Sequence, residues 1–307
     1  MNFCSRLTKH LLNQAYTEQT LAELVSMKQR QCRTIWISDI HLGTRGCKAS
    51  LLNHFFKSHR CENLFLVGDI IDGWRLSSAK WYWPGEHNRV VRQVLRKSEK
   101  EETNVFYVLG NHDEFLRDYI AEHNFEMGNI RVVNEFNYET IKGEKLWVTH
   151  GDAYDGITRH HKWVALAGDA GYNFLLWSNS WLNRARKMLN MPYWSLSKAI
   201  KHKVKKAVSY IFEYENTVAR ETRKRNMDGV VCGHIHHAEM KTINGIKYYN
   251  CGDWVESCTA LVEDMEGNIE IVTWTEEDHD ADEKIIYLDA DDSNKSNKVK
   301  KKDRKVA

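Results

Sequence analysis

Five times along this chain a short apolar run ends directly on Asp, His or Asn: "WISDIHLG", "FLVGDIIDGW", "YVLGNHDE", "WVTHGDAYDG" and "VVCGHIHH". Runs of this length, rich in Val, Ile, Phe and Trp, are strand-like. In open α/β sheets the loops leaving the carboxyl ends of strands converge on one crevice. Five strand ends carrying the same side-chain types therefore predict one site assembled in space. Alternate side chains of an extended backbone share a face, so Asp39 with His41, and His234 with His236, each point as a pair.

The strands read from the pattern are Thr34–Ser38, Leu64–Val67, Val105–Leu109, Leu146–Thr149, Gly229–Cys232, Tyr248–Asn250, Thr259–Val262 and Ile269–Trp274. Helical pattern fills 50–58, 87–101 and 114–122, and the alternation predicts a layered α/β architecture. Residues 32–155 and 228–275 form this main domain. Residues 156–227 lack strand-like runs and read as an inserted helical cap, aromatic and basic. Residues 1–31 read as a polar helical extension. The tail, 276–307, runs from acidic to basic and is predicted to be disordered, because it offers too little apolar surface to offset ordering entropy.

Composition excludes more than it selects. The net charge of +2 favours no partner in bulk, so any argument must come from local charge. Seven cysteines, an odd number without a CxxC pair, predict reduced thiols and a cytoplasmic protein. The N-terminus lacks the continuous apolar core of a signal peptide, and no run of about 18 apolar residues predicts a membrane span. Peripheral contact with the inner membrane face stays open.

The strand ends supply Asp39, His41, Asp69, Asp72, Asn111, His112, Asp113, His150, Asp152, His234 and His236. Carboxylate, imidazole and amide oxygen without thiolate suit Mn²⁺ first, with Fe, Zn²⁺ or Mg²⁺ also compatible. Seven candidate ligands (Asp39, His41, Asp69, Asn111, His150, His234 and His236) exceed the needs of one catalytic ion. Two divalent metal ions about 3.5–4 Å apart, bridged by one carboxylate, are the economical solution. Any one of these residues alone would read as a cap or turn residue; their number and order make the metal reading prevail.

The ordered pattern D-x-H, G-D-x-x-D, G-N-H-[DE], H-G and G-H-x-H resembles that of the calcineurin-like metallophosphoesterases, over residues 34 to 255. The resemblance implies a four-layer αββα sandwich. It also implies one ion held by Asp39, His41, Asp69 and His236, and a second by Asp69, Asn111, His150 and His234, with Asp69 shared. By the same resemblance Asp72 orients His112, the natural proton donor to a leaving group. Two such cations would acidify water to a pKa of about 7 and attract phosphate. "GDIIDGW", the "HGD" of 150–152 and the helical insertion look like the UDP-2,3-diacylglucosamine pyrophosphohydrolase branch, which releases UMP and lipid X. The chain departs from the best-known members of that branch at His112, where they carry Arg.

Substrate contacts are expected from Arg75, a guanidinium suited to phosphate, and from Trp74, Asp253 and Trp254. For Arg75 a solvated loop arginine is an equal alternative. His160, His161 and His237 read as surface residues. Trp163, Trp177, Trp181 and Trp194 read first as the cap's own core, and second as an acyl-chain groove. The basic run Arg184, Arg186, Lys187, Lys198, Lys201, Lys203, Lys205 and Lys206 sits beside these aromatics and suits an amphiphilic small-molecule phosphate or an anionic membrane surface. Nucleic acid is disfavoured, because the basic residues cluster in one segment instead of tracing a path. A protein phosphatase is hindered by the cap, and a metal-free scaffold would have lost ligands that this chain retains.

Overall fold

Trp36, Phe65 and Phe106 stand at matched register on three neighbouring parallel strands, β1 (Arg30–Ile37), β2 (His59–Val67) and β3 (Asn104–Val108). Their rings stack along the row, with centroids 6.0 Å and 4.5 Å apart. Each such pair adds roughly 0.5–1.5 kcal/mol beyond the area it buries. This row forms one wall of the central core. The computed structural model that shows it describes residues 29–76, 82–117, 125–155 and 196–278, with only the helical backbone for 196–207.

The row belongs to a seven-stranded sheet, ordered β12-β11-β1-β2-β3-β5-β4. Its other members are β4 (Phe125–Met127), β5 (Ile130–Val133), β11 (Thr259–Glu263) and β12 (Ile269–Thr273). A second sheet, ordered β6-β7-β8-β10-β9, contains β6 (Glu135–Glu139), β7 (Lys145–Thr149), β8 (Gly229–Cys232), β9 (Glu239–Ile243) and β10 (Ile246–Asn250). The strands that precede the ligand loops run parallel within each sheet: β1, β2 and β3 in the first, β7 and β8 in the second.

Period-2 alternation sorts the side chains between layers. Trp36, Phe65, Val67, Phe106 and Leu261 face inward and meet Tyr138, Leu146, Val148, Val231 and Tyr249 of the second sheet. The alternate residues Ile35, Ile37, Leu64, Leu66 and Val105 face outward, against helix α1 (Ala49–Ser58) and Val90 of α3 (Gly85–Lys100). A short turn, α2 (Gly73–Leu76), lies between those helices in the chain. Leu52, Phe55 and Phe56 of α1 fall at the i, i+3, i+4 spacing of an amphipathic face and are buried. On the far side Trp147, Val230 and Tyr248 of the second sheet pack on Tyr214 and Val218 of α4 (Leu196–Lys224). The layers are therefore helix, sheet, sheet, helix.

All eight strands expected from sequence are present, but β4, β5, β6 and β9 are additions. The helix expected over 114–122 opens only as a 3₁₀ turn, Glu114–Leu116, and residues 118–122 lie outside the described ones. The segments 1–28, 156–195 and 279–307, which hold most of the extension, cap and tail, likewise lie outside them, as do His160, His161 and the four cap tryptophans. The second half of α4, read from sequence as part of the insertion, is the outer layer on the second sheet. Among the described residues the cysteines are free, and no helix is long and apolar enough to cross a membrane.

Candidate metal centre

Asp39, His41, Asp69, His234 and His236 all adopt left-handed backbone, with φ of 51°, 51°, 54°, 72° and 54°. For an L-residue this conformation costs on the order of 1–3 kcal/mol and persists only where the surroundings impose it. Here the first two loops impose it by continuing the β1–β2 pairing beyond the strands. The N–H groups of Asp39, His41 and Leu42 donate to the carbonyls of Gly68, Asp69 and Ile70 at 3.1, 2.9 and 2.9 Å. The kinks turn the side chains at the end of each strand toward one another.

Two clusters result. The ligand atoms of Asp39, His41 and His236 lie within 4.8 Å of one another, and so do those of Asp69, His150 and His234; a third grouping joins Asp69 to His41 and His112. Each of the first two draws on both sheets. The second carboxylate oxygen of each aspartate is tied to backbone: Asp39 Oδ2 accepts the His234 N–H at 3.0 Å, and Asp69 Oδ1 accepts the His112 N–H at 2.8 Å. That leaves Asp39 Oδ1 at 3.2 Å from His236 Nε2, and Asp69 Oδ2 at 3.4 Å from His150 Nε2. Glycine allows this closeness: a Cβ on Gly110 would stand 2.3 Å from Asp69 Oδ1, and one on Gly233 2.5 Å from Asp39 Oδ2.

The donors fit divalent cations. Asp39 Oδ1, Asn111 Oδ1 and His150 Nε2 are buried and make no hydrogen bond within the protein, a cost that native folds rarely bear without a ligand or ion. His150 donates from Nδ1 to the Val67 carbonyl at 2.9 Å, which leaves Nε2 as the nitrogen available to an ion. The local field has the matching sign. Burial opposes charge on His150, but Asp69 and then Asp39 outweigh it and lift the imidazole to about 10. Burial likewise opposes charge on His236, yet Asp39 raises it to about 9. Burial pushes Asp39 upward, and His236 and His150 bring it down to about 2; Asp69 is also held well below the usual carboxylate range, chiefly by His150 against its burial. A centre that attracts protons onto imidazoles in this way attracts cations in competition with them.

Beside the clusters, His112 Nδ1 lies 3.1 Å from Asp72 Oδ1, while the other Asp72 oxygen is 3.7 Å from His41 Nδ1. His112 Nε2 is 3.8 Å from Asp69 Oδ2, so the ring spans the space between the Asp72 and Asp69 carboxylates. Trp74 covers the His112 ring, and the exposed Arg75 follows it on α2. Asp253 and Trp254, expected to line the site, are both buried, although the Asp253 charge still acts on His236. Asp253 is buried and accepts the N–H groups of Val255, Glu256 and Ser257 within one turn. Trp254 is fully buried in the helix-side core against Phe55. Asp152 pairs with Arg117 at 2.9 Å and joins neither cluster, and His237 lies 3.7 Å from Glu239 on the surface.

Sequence reasoning missed the residues that weld the loops. Asp113 accepts the N–H groups of Ile70, Ile71 and Gly110 and the Tyr107 hydroxyl, fastening the second loop to the third. Asn250 donates to the Gly233 carbonyl at 2.8 Å and accepts the Gly252 N–H at 3.0 Å. Asp155, buried at 3% exposure, lies 2.7 Å from His234 Nε2. Asp113 and Asn250 lay inside the motifs; for Asp155 the only signal was its place just after "HGD".

The calcineurin-like phosphoesterase family model matches residues 32–238, and the chain belongs to that family. Among curated proteins it is similar to UDP-2,3-diacylglucosamine hydrolase of Neisseria meningitidis serogroup A, 24% identical over 233 residues that span 71% of this chain and 88% of that protein. The protein of the same description from Neisseria gonorrhoeae is 23% identical over the same shares. Similar solved structures include an archaeal phosphodiesterase, at 14% identity and TM-score 0.36, covering 78% of this chain and 98% of that one. A phosphoesterase from E. coli gives 15% identity and TM-score 0.38, covering 79% and 99%.

Proposed function

We propose that this phosphoesterase hydrolyses the pyrophosphate bond of UDP-2,3-diacylglucosamine or a similar nucleotide-diphosphate lipid, releasing UMP and a lipid X-type product. The observation that carries the reading is the pair of Asp–His clusters, Asp39 with His41 and His236 and Asp69 with His150 and His234, that adjoin through His41 and Asp69, taken with the curated relatives named for that substrate. Asp39, His41, Asp69 and His236 would hold one divalent ion, and Asp69, Asn111, His150 and His234 the other, with Mn²⁺ the first candidate. When bound, such ions supply a nucleophile at neutral pH and stabilise charge on phosphoryl oxygens.

The chain's own side chains account for the remaining needs. His112 offers Nε2 beside the shared carboxylate, while Asp72 holds Nδ1. With Nδ1–H directed at Asp72, a second proton taken up at Nε2 would be passed to the leaving oxygen, the role in which a positioned imidazole contributes about 10²–10⁴-fold. Trp74 and Arg75 are exposed on the turn that begins at Gly73, which the Phe115 ring approaches, and the non-reacting part of a substrate would rest there. The basic run at 184–206 would face an amphiphile or an anionic membrane surface, at the inner face of the membrane of a cytoplasmic protein. Changing Lys203, Lys205 and Lys206 to Glu should weaken binding to anionic vesicles; unchanged binding removes the membrane contact.

The test is phosphorus product analysis after incubating the Mn²⁺-loaded protein with UDP-diacylglucosamine. Release of UMP supports the reading. No turnover, together with hydrolysis of simple phosphodiesters or monoesters, replaces it with a general phosphoesterase, the alternative that His112 in place of Arg favours.

A further inference from the structure

Asp155 lies outside both ligand clusters and is buried directly behind one of them. It follows the 3₁₀ turn Asp152–Tyr154 that leaves β7, and its Oδ2 sits 2.7 Å from His234 Nε2. The same oxygen accepts the hydroxyl of Tyr210, from α4, at 2.8 Å. Tyr214, one turn further along that helix, is buried on the second sheet and fixes where Tyr210 can reach.

A neutral imidazole carries one proton. If Nε2 holds it and donates to Asp155, only Nδ1 has a lone pair to offer. His150, in the same cluster, is wired the other way round, since its Nδ1 donates to the Val67 carbonyl. We infer that Asp155, steadied by Tyr210, is a positioning residue that fixes His234 as the Nε2–H tautomer and presents Nδ1 to the ion shared with Asp69 and His150. A carboxylate behind a ligating imidazole orients the ring and raises its basicity, and loss of such a partner typically lowers metal affinity about 10–100-fold. The arrangement also wires α4 to the ion seat through one hydroxyl, so the helix cannot shift at Tyr210 without disturbing His234.

This inference rests on the metal-centre reading and not on the choice of substrate, so it is tested by metal binding. Mn²⁺ is titrated into metal-free wild type, Asp155→Ala, Asp155→Asn and Tyr210→Phe, with occupancy read by elemental analysis. Tautomers are read from ¹⁵N shifts of labelled histidine with Zn²⁺ as the diamagnetic ion. Asp155→Ala should bind one of the two ions about 10–100-fold more weakly and lose the Nε2–H signature at His234. Asp155→Asn, which keeps an acceptor oxygen, should lie nearer wild type, and Tyr210→Phe should show a smaller loss than Asp155→Ala. Wild-type affinity for both ions in Asp155→Ala would overturn the role, as would equal losses in the Ala and Asn variants, which would mark Asp155 as structural only. Failure of the wild type itself to take up any divalent ion would remove the metal centre and this inference with it, whereas intact metal binding without UMP release would remove only the substrate.

Discussion

The indole of Trp74 lies over the imidazole of His112, with ring centroids 3.7 Å apart and planes inclined by 37°. The Asp72 carboxylate stands 3.1 Å from Nδ1 of the same imidazole, so the ring lies between an indole and a carboxylate. His112→Asn should therefore lower kcat by about 10²–10⁴-fold while both ions stay bound. Trp74→Ala, which frees the ring to rotate, should cost up to about 10²-fold. Steady-state kinetics beside elemental analysis check both; loss of an ion in His112→Asn would show that the ring is a ligand.

Asp69 groups with His150 and His234 and also reaches His41, a member of the Asp39 cluster, whereas His236 belongs to the Asp39 cluster alone. Asp69→Asn should empty both seats. His236→Ala should empty the Asp39 seat and leave about one ion per chain at the other. Elemental analysis after dialysis against equal Mn²⁺ separates the two patterns, and one ion retained by Asp69→Asn would contradict the sharing.

The Asp69 carboxylate needs a bare backbone opposite it. In Gly110→Ala the new methyl would stand 2.3 Å from Oδ1 and 2.5 Å from the Asp69 nitrogen. Overpacking of that kind costs about 1–3 kcal/mol and displaces the shared ligand. Gly85→Ala meets nothing within 4 Å, and should change stability by no more than about 1 kcal/mol. Urea unfolding of the two variants compares them on one scale.

Burial drives the thiols toward the protonated form. It pushes Cys47 up to about 12 against a partly compensating Ala49 N–H, and Cys61 and Cys232 reach about 12 as well. A thiol with so high a pKa is uncharged at pH 8, and only the thiolate reacts. Its ionised fraction is then roughly 10⁻⁴, against about a quarter for an ordinary thiol. Labelling of Cys47, Cys61 and Cys232 by an aromatic disulfide, read site by site by mass spectrometry, should be about a thousandfold slower when native than when unfolded. The native rate should keep rising well above pH 9; a plateau near pH 9 would contradict the shift.

The layers and the ligand loops were legible because both follow from short-range pattern. Five of the marked strands combine β-branched or aromatic residues with a following Asp, His or Asn, and that end is where the loops converge. The missed strands carried weaker signals. In β9 (Glu239–Ile243) every residue is at least partly exposed, so it lacks an apolar face, although the Asn244–Gly245 turn after it, with φ of 50° and 83°, is a strong hairpin signal. Likewise β4 and β5 span only three and four residues about a turn at Gly128. Trp254 lies in a short loop segment, Gly252–Ser257, with no strand or helix periodicity, whereas its neighbours in space are Phe55 and the helix-side core. No local pattern could have shown Asp155 behind His234, since their juxtaposition depends on where β7 and β8 place two different loops.

Each ligand cluster takes its donors from both halves of the sandwich: Asp39 and His41 with His236, and Asp69 with His150 and His234. A cation in either seat would thus act as a rivet through the seam between the two walls, and slippage of one wall past the other would tear its coordination before disturbing the aromatic row beneath.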